Sequence, residues 1–470
     1  MVYNESVKQI FRWQVYNLNI KELDLNSGLY FLGIGGISMS AIAMILAGKG
    51  YSVSGYDRTL GEVTDKLEKN GISVYDEFDV KQLDKCGAII YSAAFGNDHP
   101  IMQEILKTGK TLYSRAEILG ALANLYENSI AVAGTHGKST TSGMLGHVLL
   151  NAVGCDPTVV VGAVMRDVGS TYRIGNDNNF VFEACEYKDS FLSFFPKIAV
   201  VLNIKLDHTD YFTGIEHMRE SFTTYMNNGG ENGYAVYNLD CENCRISAEG
   251  HRGNNVTFSA EGNENADFYA KNIVFNGGFA SFDVYKKGVF LLSLRLSAPG
   301  EHNVSNALAV VAVCDLINIS KEDIVKGIST YAGVGRRFEY KGSYCGADVY
   351  DDYAHHPDEI KVTLAAAKGM ARGRVICVFQ PHNYSRLRDL FDDFKTSFDD
   401  ADMLILCPLY AAREACGTEV SSKLLADCID NARYFETFDE IKSFLKTELR
   451  SGDLLLIMGA GDIAKLANSI

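Results

Sequence analysis

The sequence predicts an α/β protein of three consecutive domains: an N-terminal Rossmann-like domain, a central P-loop ATPase-like domain on a mixed sheet, and a C-terminal Rossmann-like domain. Two strand, glycine turn, helix units opening at Tyr30 and Ile130, and a third group of apolar strands beyond Arg337, predict that class. The length agrees, since 470 residues is about three times the ~150-residue domain prior. The expected boundaries are 1–125, 126–336 and 337–470.

In the first domain, Tyr30-Phe31-Leu32 runs into Gly33-Ile34-Gly35-Gly36-Ile37-Ser38, and Met39 to Ala47 carries good helix formers up to Gly48. A second strand, Tyr51 to Gly55, ends in Asp57, about 20 residues past the glycines, where a carboxylate can reach a ribose hydroxyl. A further strand is expected from Ala88 to Ala93.

The second domain opens with a strand from Ile130, a loop from Gly134 to Thr141 and a helix from Ser142 to Leu150. Phe180 to Phe182 and Ile198 to Ile204 are spaced as further parallel strands. Phe258 to Leu296 alternates apolar and polar residues, as antiparallel hairpins turned at Asn276-Gly277-Gly278 and Lys286-Lys287-Gly288 would. An apolar helix is expected from Ala307 to Leu316, and in the third domain strands at Val349–Tyr350, 374–379, 403–407 and 454–458.

Composition narrows the function classes. Apolar residues make up 47% and charged residues 22%, with 43 Gly and only 7 Pro, which excludes collagenous and disordered chains. The formal charge of −15 repels polyanions, so a phosphate ligand needs a local positive site and bulk nucleic-acid binding is not expected. Eleven cysteines without regular spacing fit reduced thiols, and the one tight pair, Cys241 and Cys244, has no second pair or nearby His to complete a zinc site. Met1 to Trp13 has no signal-like apolar core, and no apolar run approaches the ~18 residues of a membrane span, so a cytoplasmic protein without membrane partners is expected.

Gly134-Thr135-His136-Gly137-Lys138-Ser139 carries the strongest chemical signal. A glycine turn at a helix N-terminus aims N–H groups at phosphate oxygens, the lysine adds a point charge, and the next hydroxyl can ligate Mg²⁺. It is a shortened Walker A loop, because Val132 stands where the full motif has its first glycine. The Gly33 to Ser38 turn is a weaker diphosphate signal, its last position being Ser rather than Gly or Ala.

Glu183 and Glu186 follow one strand, and Asp207 with His208 follows another. Parallel strands would bring both to the sheet edge that bears the phosphate loop, where oxygen ligands and an imidazole suit Mg²⁺. A solvated carboxylate and a helix-capping histidine are the plainer readings of these residues. His302, Asn303 and Asn306 cluster before an apolar helix, where capping explains one Asn and a purine edge would explain the rest. Asp351 to Pro357 reads as a nucleotide or substrate loop rather than a zinc site, since His355 and His356 are neighbours on an extended chain and point opposite ways. Arg337, at the expected domain hinge, can reach a γ-phosphate or can be a plain surface guanidinium.

Taken together, FLGIGGISMS from Phe31, GTHGKSTT from Gly134, EACEYKDSFL from Glu183, LNIKLDH from Leu202, GEHNVSNALA from Gly300, GRRFE from Gly335, DDYAHHPDE from Asp351, FQPHNYSRLRDL from Phe379 and MGAGDI from Met458 resemble the Mur ligases of bacterial cell-wall synthesis. The first segment, the doubled histidine and the FQPH segment resemble the alanine-adding branch. Nearly the whole chain is covered, in family order.

The resemblance implies an ADP-forming ligase that uses ATP and Mg²⁺ to join L-alanine to the lactyl carboxylate of UDP-N-acetylmuramate through an acyl phosphate, working as a monomer or homodimer. The domains would bind UDP-sugar, ATP and amino acid in that order. Gly134, Thr135, His136, Gly137, Lys138, Ser139 and Thr140 would hold the triphosphate, His302, Asn303 and Asn306 the adenine, Asp352 the ribose and Arg337 the γ-phosphate. Ser139, Glu183 and His208 would serve metal; Lys138, His208 and Arg337 would be catalytic. Gly33, Gly35, Gly36, Ile37, Ser38 and Asp57 would belong to UDP, and Tyr353, His355 and Arg386 to the amino acid.

Three departures stand out. Family members usually read GIGGIGM, GTHGKTT and PHRYTR, against Ser38, Ser139 and Asn383 with Ser385 here. Several sister ligases carry a carbamylated lysine downstream of the DH motif, at a position matched by Phe222, which implies the branch that lacks this modification. The competing readings are a sister ligase adding another amino acid or a preformed peptide, and a non-catalytic sensor of nucleotide and UDP-sugar.

Overall fold

The computed structural model describes residues 27–209, 211–412, 414 and 420–470. These divide into two compact units: one runs to Tyr269 and adds Leu308–Gly327, the other comprises Ala270–Ala307 and the chain from Ile328 to Ile470.

In the first unit, β1 (Gly28–Leu32), β2 (Val53–Tyr56), β3 (Ser73–Tyr75), β4 (Cys86–Tyr91) and β5 (Thr111–Ser114) form a sheet of order β3-β2-β1-β4-β5. Every adjacent pair is parallel. The order reverses between β1 and β4, which makes the carboxyl end of β1, where the glycine turn lies, the topological switch point at which such sheets bind ligands. Leu29 and Phe31 are buried with the helix Ile37–Gly48, whereas Tyr30 and Leu32 pack on the opposite face with Ile89 and Phe95. A strand buried on both faces reads as an unbroken apolar run, which is why β1 was legible.

The same unit holds β6 (Asn128–Ala133), β7 (Thr158–Met165), β8 (Ser170–Arg173), β9 (Asn179–Glu183), β10 (Ile198–Val201), β11 (Tyr234–Asn238) and β12 (Asn254–Ser259), in the order β12-β11-β10-β6-β9-β7-β8. As expected, β9 and β10 are parallel, and each pairs with β6. Phe191 stacks on Tyr225 with ring centroids 4.8 Å apart and meets Phe222 edge-on at 5.0 Å, fastening the helix Ile215–Asn227 to the segment after β9. Each such side chain contributes roughly 1.5–3 kcal/mol on burial.

The alternating stretch from Phe258 resolves into two kinds of strand. Phe258 and Ser259 end the parallel strand β12 and pair with Phe268 and Tyr269 at the start of β13 (Phe268–Asn276). In the second unit, β14 (Phe279–Lys286) and β15 (Val289–Arg295) form the antiparallel hairpin, turning at Lys287-Gly288, both with positive φ. Alternation alone does not distinguish parallel from antiparallel pairing.

The second unit also contains β16 (Glu339–Tyr344), β17 (Ala347–Asp352), β18 (Val375–Phe379), β19 (Met403–Leu406), β20 (Ala432–Tyr434) and β21 (Leu454–Met458), in the order β16-β17-β21-β18-β19-β20. Among the described residues of this sheet, the β16–β17 pair is antiparallel and the other pairs are parallel. Val375, Cys377 and Phe379 pack on one face and Ile376 and Val378 on the other, so this sheet is covered on both sides. The apolar helix expected from Ala307 begins five residues earlier and spans His302–Leu316. His302 to Asn306 therefore form its first turn rather than a loop before it. Among the described residues no helix is long and apolar enough to cross a membrane.

Candidate functional site

The phosphate-type loop leaves β6 at Ala133 and enters the helix Lys138–Asn151. Gly134 has φ +140° and Gly137, the residue before the helix, has φ +88°, conformations that a side chain would strain. A Cβ on Gly134 would also lie 3.1 Å from the Asn203 backbone nitrogen. The strand after the loop sets its shape. Asn203 Oδ1 accepts from the His136 N–H at 2.9 Å while Asn203 Nδ2 donates to the His136 carbonyl at 3.0 Å. Thr135 Oγ1 donates to the Lys205 carbonyl and accepts from the Lys205 N–H, at 3.0 and 2.9 Å. Sequence reading missed Asn203, because a polar residue after a strand carries no local sign of bonding a loop 67 positions away.

Lys138 Nζ lies 3.0 Å from Glu186 Oε2 and donates to the Gly134 carbonyl at 2.6 Å. Burial works against the ammonium, but Glu186, Cys185 and Glu183 together outweigh it and hold Lys138 above its ordinary range. Glu183 turns elsewhere and accepts from the Gly162 N–H at 2.6 Å. A Cβ on Gly162 would come within 2.9 Å of Glu183 Oε2, so this glycine makes room for the carboxylate. His208, with φ +53°, places Nε2 3.8 Å from Glu186 Oε1 and its ring 4.7 Å from that of Tyr187. Ser139 is buried at the start of the helix. A hydroxyl, a carboxylate and an imidazole are donor types that suit Mg²⁺, and of the two carboxylates at the carboxyl end of β9 it is Glu186, not Glu183, that lies beside His208.

At the first glycine turn, Gly33 has φ +78°, and the Gly35 N–H donates to Asp57 Oδ2 at 2.9 Å. A Cβ on Gly35 would stand 2.9 Å from the same oxygen. Asp57 Oδ1 accepts from the Thr59 N–H, so this carboxylate shapes both the turn after β1 and the turn after β2. Gly36 precedes the helix, Ile37 is exposed at its first position, and Ser38 Oγ accepts from Arg115 Nη1 at 3.1 Å. Arg115 was not singled out from sequence, since nothing local distinguishes it from a surface arginine.

In the second unit, Asn306 Nδ2 donates to Asn303 Oδ1 at 2.9 Å and Asn303 Nδ2 to the Pro299 carbonyl at 2.7 Å, with both side chains buried. His302 is exposed, its ring against Gly300. Asp352 is buried at the end of β17 and accepts from the Phe338 and Ala354 N–H groups, each at 2.7 Å. Burial pushes its pKa up to about 6 against the pull of Arg337. Arg337 Nη1 is 3.6 Å from Glu359 Oε1, and its guanidinium lies over the Tyr353 ring at 5.4 Å.

His355, one helical turn before Glu359, has Nδ1 3.0 Å from the Tyr353 carbonyl and 3.3 Å from Glu359 Oε2. Its ring is 5.9 Å from that of His382, which stacks on Tyr410 at 5.7 Å. Arg386 Nη1 is 3.5 Å from His382 Nδ1. Burial lowers the pKa of both histidines to about 4, with Arg386 adding to the effect. The carboxyl ends of β17 and β18 thus carry a neutral imidazole pair beside a guanidinium. Asn383, with φ +69°, keeps a buried Oδ1 that has no hydrogen-bond partner among the described residues.

Comparison with known proteins identifies the family. The chain matches the family models "Mur ligase family, catalytic domain" over residues 28–127, "Mur ligase middle domain" over 132–314 and "Mur ligase, glutamate ligase domain" over 336–461. It is 41% identical over 448 residues to a UDP-N-acetylmuramate--L-alanine ligase of Clostridium perfringens, covering 94% of this chain and 97% of that protein. The same-named ligase of Clostridium tetani is 43% identical, covering 93% and 96%. A crystal structure of UDP-N-acetylmuramate-alanine ligase from Thermotoga maritima superposes with a TM-score of 0.78 at 26% identity, covering 94% of this chain and 97% of that one. With relatives of that identity aligned across nearly the whole of both chains, this chain belongs to the Mur ligase family and is an enzyme of that family.

Proposed function

We propose that the protein is an ATP-dependent, ADP-forming ligase that joins L-alanine to the lactyl carboxylate of UDP-N-acetylmuramate. The observation that carries this reading is the preshaped loop around Lys138, whose partly buried ammonium is already held by a carboxylate and two carbonyls at a helix N-terminus. The names of the relatives supply the substrates.

A carboxylate is a poor acyl donor because its leaving group would be oxide. Attack by the lactyl carboxylate oxygen on the γ-phosphorus releases ADP and gives an acyl phosphate. The alanine amine then attacks the acyl carbon, phosphate leaves, and the nitrogen gives up a proton. Lys138 carries the charge that moves from the γ-phosphate to ADP, with the N–H groups at the helix N-terminus from Gly137 to Thr140 beneath it, while those of Thr135 and His136 are held by Asn203. Arg337, whose guanidinium faces Glu359 and Tyr353, would serve the γ-phosphate.

Ser139 and Glu183 would hold Mg²⁺, and His208 would serve a second ion. Bound there, the metal neutralises phosphate charge. Asp57 keeps the glycine turn open for the UDP diphosphate, while Asn303, Asn306 and Asp352 shape the segments proposed to receive adenine and ribose. On the amino-acid side, His355 directs Nδ1–H at the Tyr353 carbonyl, leaving Nε2 as an acceptor for the alanine ammonium. Arg386 complements the alanine carboxylate.

Phosphate release with purified protein, ATP, Mg²⁺ and UDP-N-acetylmuramate tests the reading. Alanine should drive it well above glycine, serine or a preformed tripeptide. Tripeptide as the best acceptor, or tight nucleotide binding without ADP formation, would overturn it.

A further inference from the structure

Arg115 stands out among the residues to which no role has been given. It is the first residue of the helix Arg115–Ala123, fixed by a capping box in which Ser114 Oγ accepts from the Glu117 N–H at 3.2 Å and the Glu117 carboxylate accepts from the Ser114 N–H at 2.6 Å. The helix follows β5, which runs parallel to β4 as β4 does to β1, so Arg115 emerges at the same sheet edge as the glycine turn.

A guanidinium carries five N–H donors, and among the described residues Arg115 uses one of them, toward Ser38 Oγ. It is partly buried, and burial pulls its pKa down while Cys185 and Glu183 pull it up. A fixed guanidinium stays charged and matches phosphate or carboxylate oxygens two at a time. Ser38 occupies the position where the family pattern has glycine, and its hydroxyl is what Arg115 bonds.

We infer that Arg115 binds an anionic oxygen of the nucleotide sugar, a phosphate or the lactyl carboxylate, and that Ser38 is a positioning residue that holds the guanidinium ready over the glycine turn. This rests on the reading of that turn as the UDP-sugar site. Two of the four idle donors suffice for one bidentate contact, and the capping box keeps the helix from turning away when the ligand leaves. Ser38 is then a substitution that preorganises the site.

Calorimetric titration of the full chain with UDP, UDP-N-acetylglucosamine and UDP-N-acetylmuramate tests this, with ATP titrated in parallel. Arg115→Met should weaken nucleotide-sugar binding by roughly 10- to 100-fold, the range for hydrogen bonds to a charged group, with ATP affinity and thermal midpoint unchanged. Arg115→Lys should recover part of the loss, and Ser38→Gly should raise the KM for the sugar severalfold without altering kcat. Loss toward all three nucleotides assigns the phosphate; loss toward UDP-N-acetylmuramate alone assigns the carboxylate. Equal affinity of Arg115→Met and the parent for every ligand overturns the role of Arg115, and an unchanged KM in Ser38→Gly overturns that of Ser38. If the parent binds none of the three, the assigned function itself fails, which is a separate result.

Discussion

The ammonium of Lys138 lies 3.0 Å from the carboxylate of Glu186, a residue with no exposed surface. A triphosphate entering the loop must therefore compete with a carboxylate already in place. Lys138→Ala should lower kcat by about 10²-fold or more, several kcal/mol of transition-state stabilisation. Glu186→Gln leaves the lysine with carbonyl partners only, and breaking a buried pair from one side costs about 3–5 kcal/mol. Thermal unfolding of Glu186→Gln should thus show a midpoint several degrees lower; an unchanged midpoint would mean that the pair is not buried as described.

Asn203 bonds both backbone groups of His136. Asn203→Ala removes both bonds and leaves the loop held by Thr135 and Lys205. The KM for ATP should rise by roughly 10-fold or more, at about 1 kcal/mol per bond, while nucleotide-sugar affinity stays constant. A kcat defect with unchanged KM would instead place Asn203 in the chemistry.

The histidines of the second unit predict an acid limb of stability. His355 and His382 have folded pKa values of about 4, below the ordinary 6.5. The unfolded chain therefore takes up protons first, and their contribution is complete above about pH 6.5 and lost as pH falls toward 4. Asp352 acts oppositely: its folded value of about 6 lies above the ordinary 3.8, so its stabilisation is complete below about pH 4 and lost as pH rises through 6. Urea midpoints at pH 5 and pH 7 should differ less in His382→Gln than in the parent. An equal difference would contradict the burial of His382.

Phe222 is fully buried, with its ring edge-on to Phe191. Phe222→Lys should not create the carbamylated metal ligand of sister enzymes. It should destabilise the protein by about 3–5 kcal/mol, the cost of losing a core aromatic, with added desolvation of the ammonium. Denaturant unfolding measures this, and a Phe222→Lys protein of parental stability would refute the packing around Phe191.

Much of the fold was legible because its strands are buried on both faces and therefore continuous in their apolarity, as in Ile198–Val201 and Leu454–Met458. Short or half-exposed strands such as Ser73–Tyr75 and Ala432–Tyr434 left no such run. The helix at His302 began earlier than its apolar stretch, because its first turn is polar and held by Asn303 and Asn306. In the candidate site, residues with a local signature were found, including the glycines at 33, 134 and 137 and Lys138. Asn203 and Arg115, whose partners lie 67 and 77 positions away, were not.

The sequence by itself determined the fold class, the two glycine turns and the family, because each is written in contiguous residues whose backbone needs are local. Tertiary structure alone decided strand order, the pairing of Lys138 with Glu186 rather than Glu183, and the meeting of Arg115 with Ser38. Those depend on which strand ends become neighbours, and neighbourhood in a parallel sheet is set by crossover packing of whole βα units, which no single segment encodes.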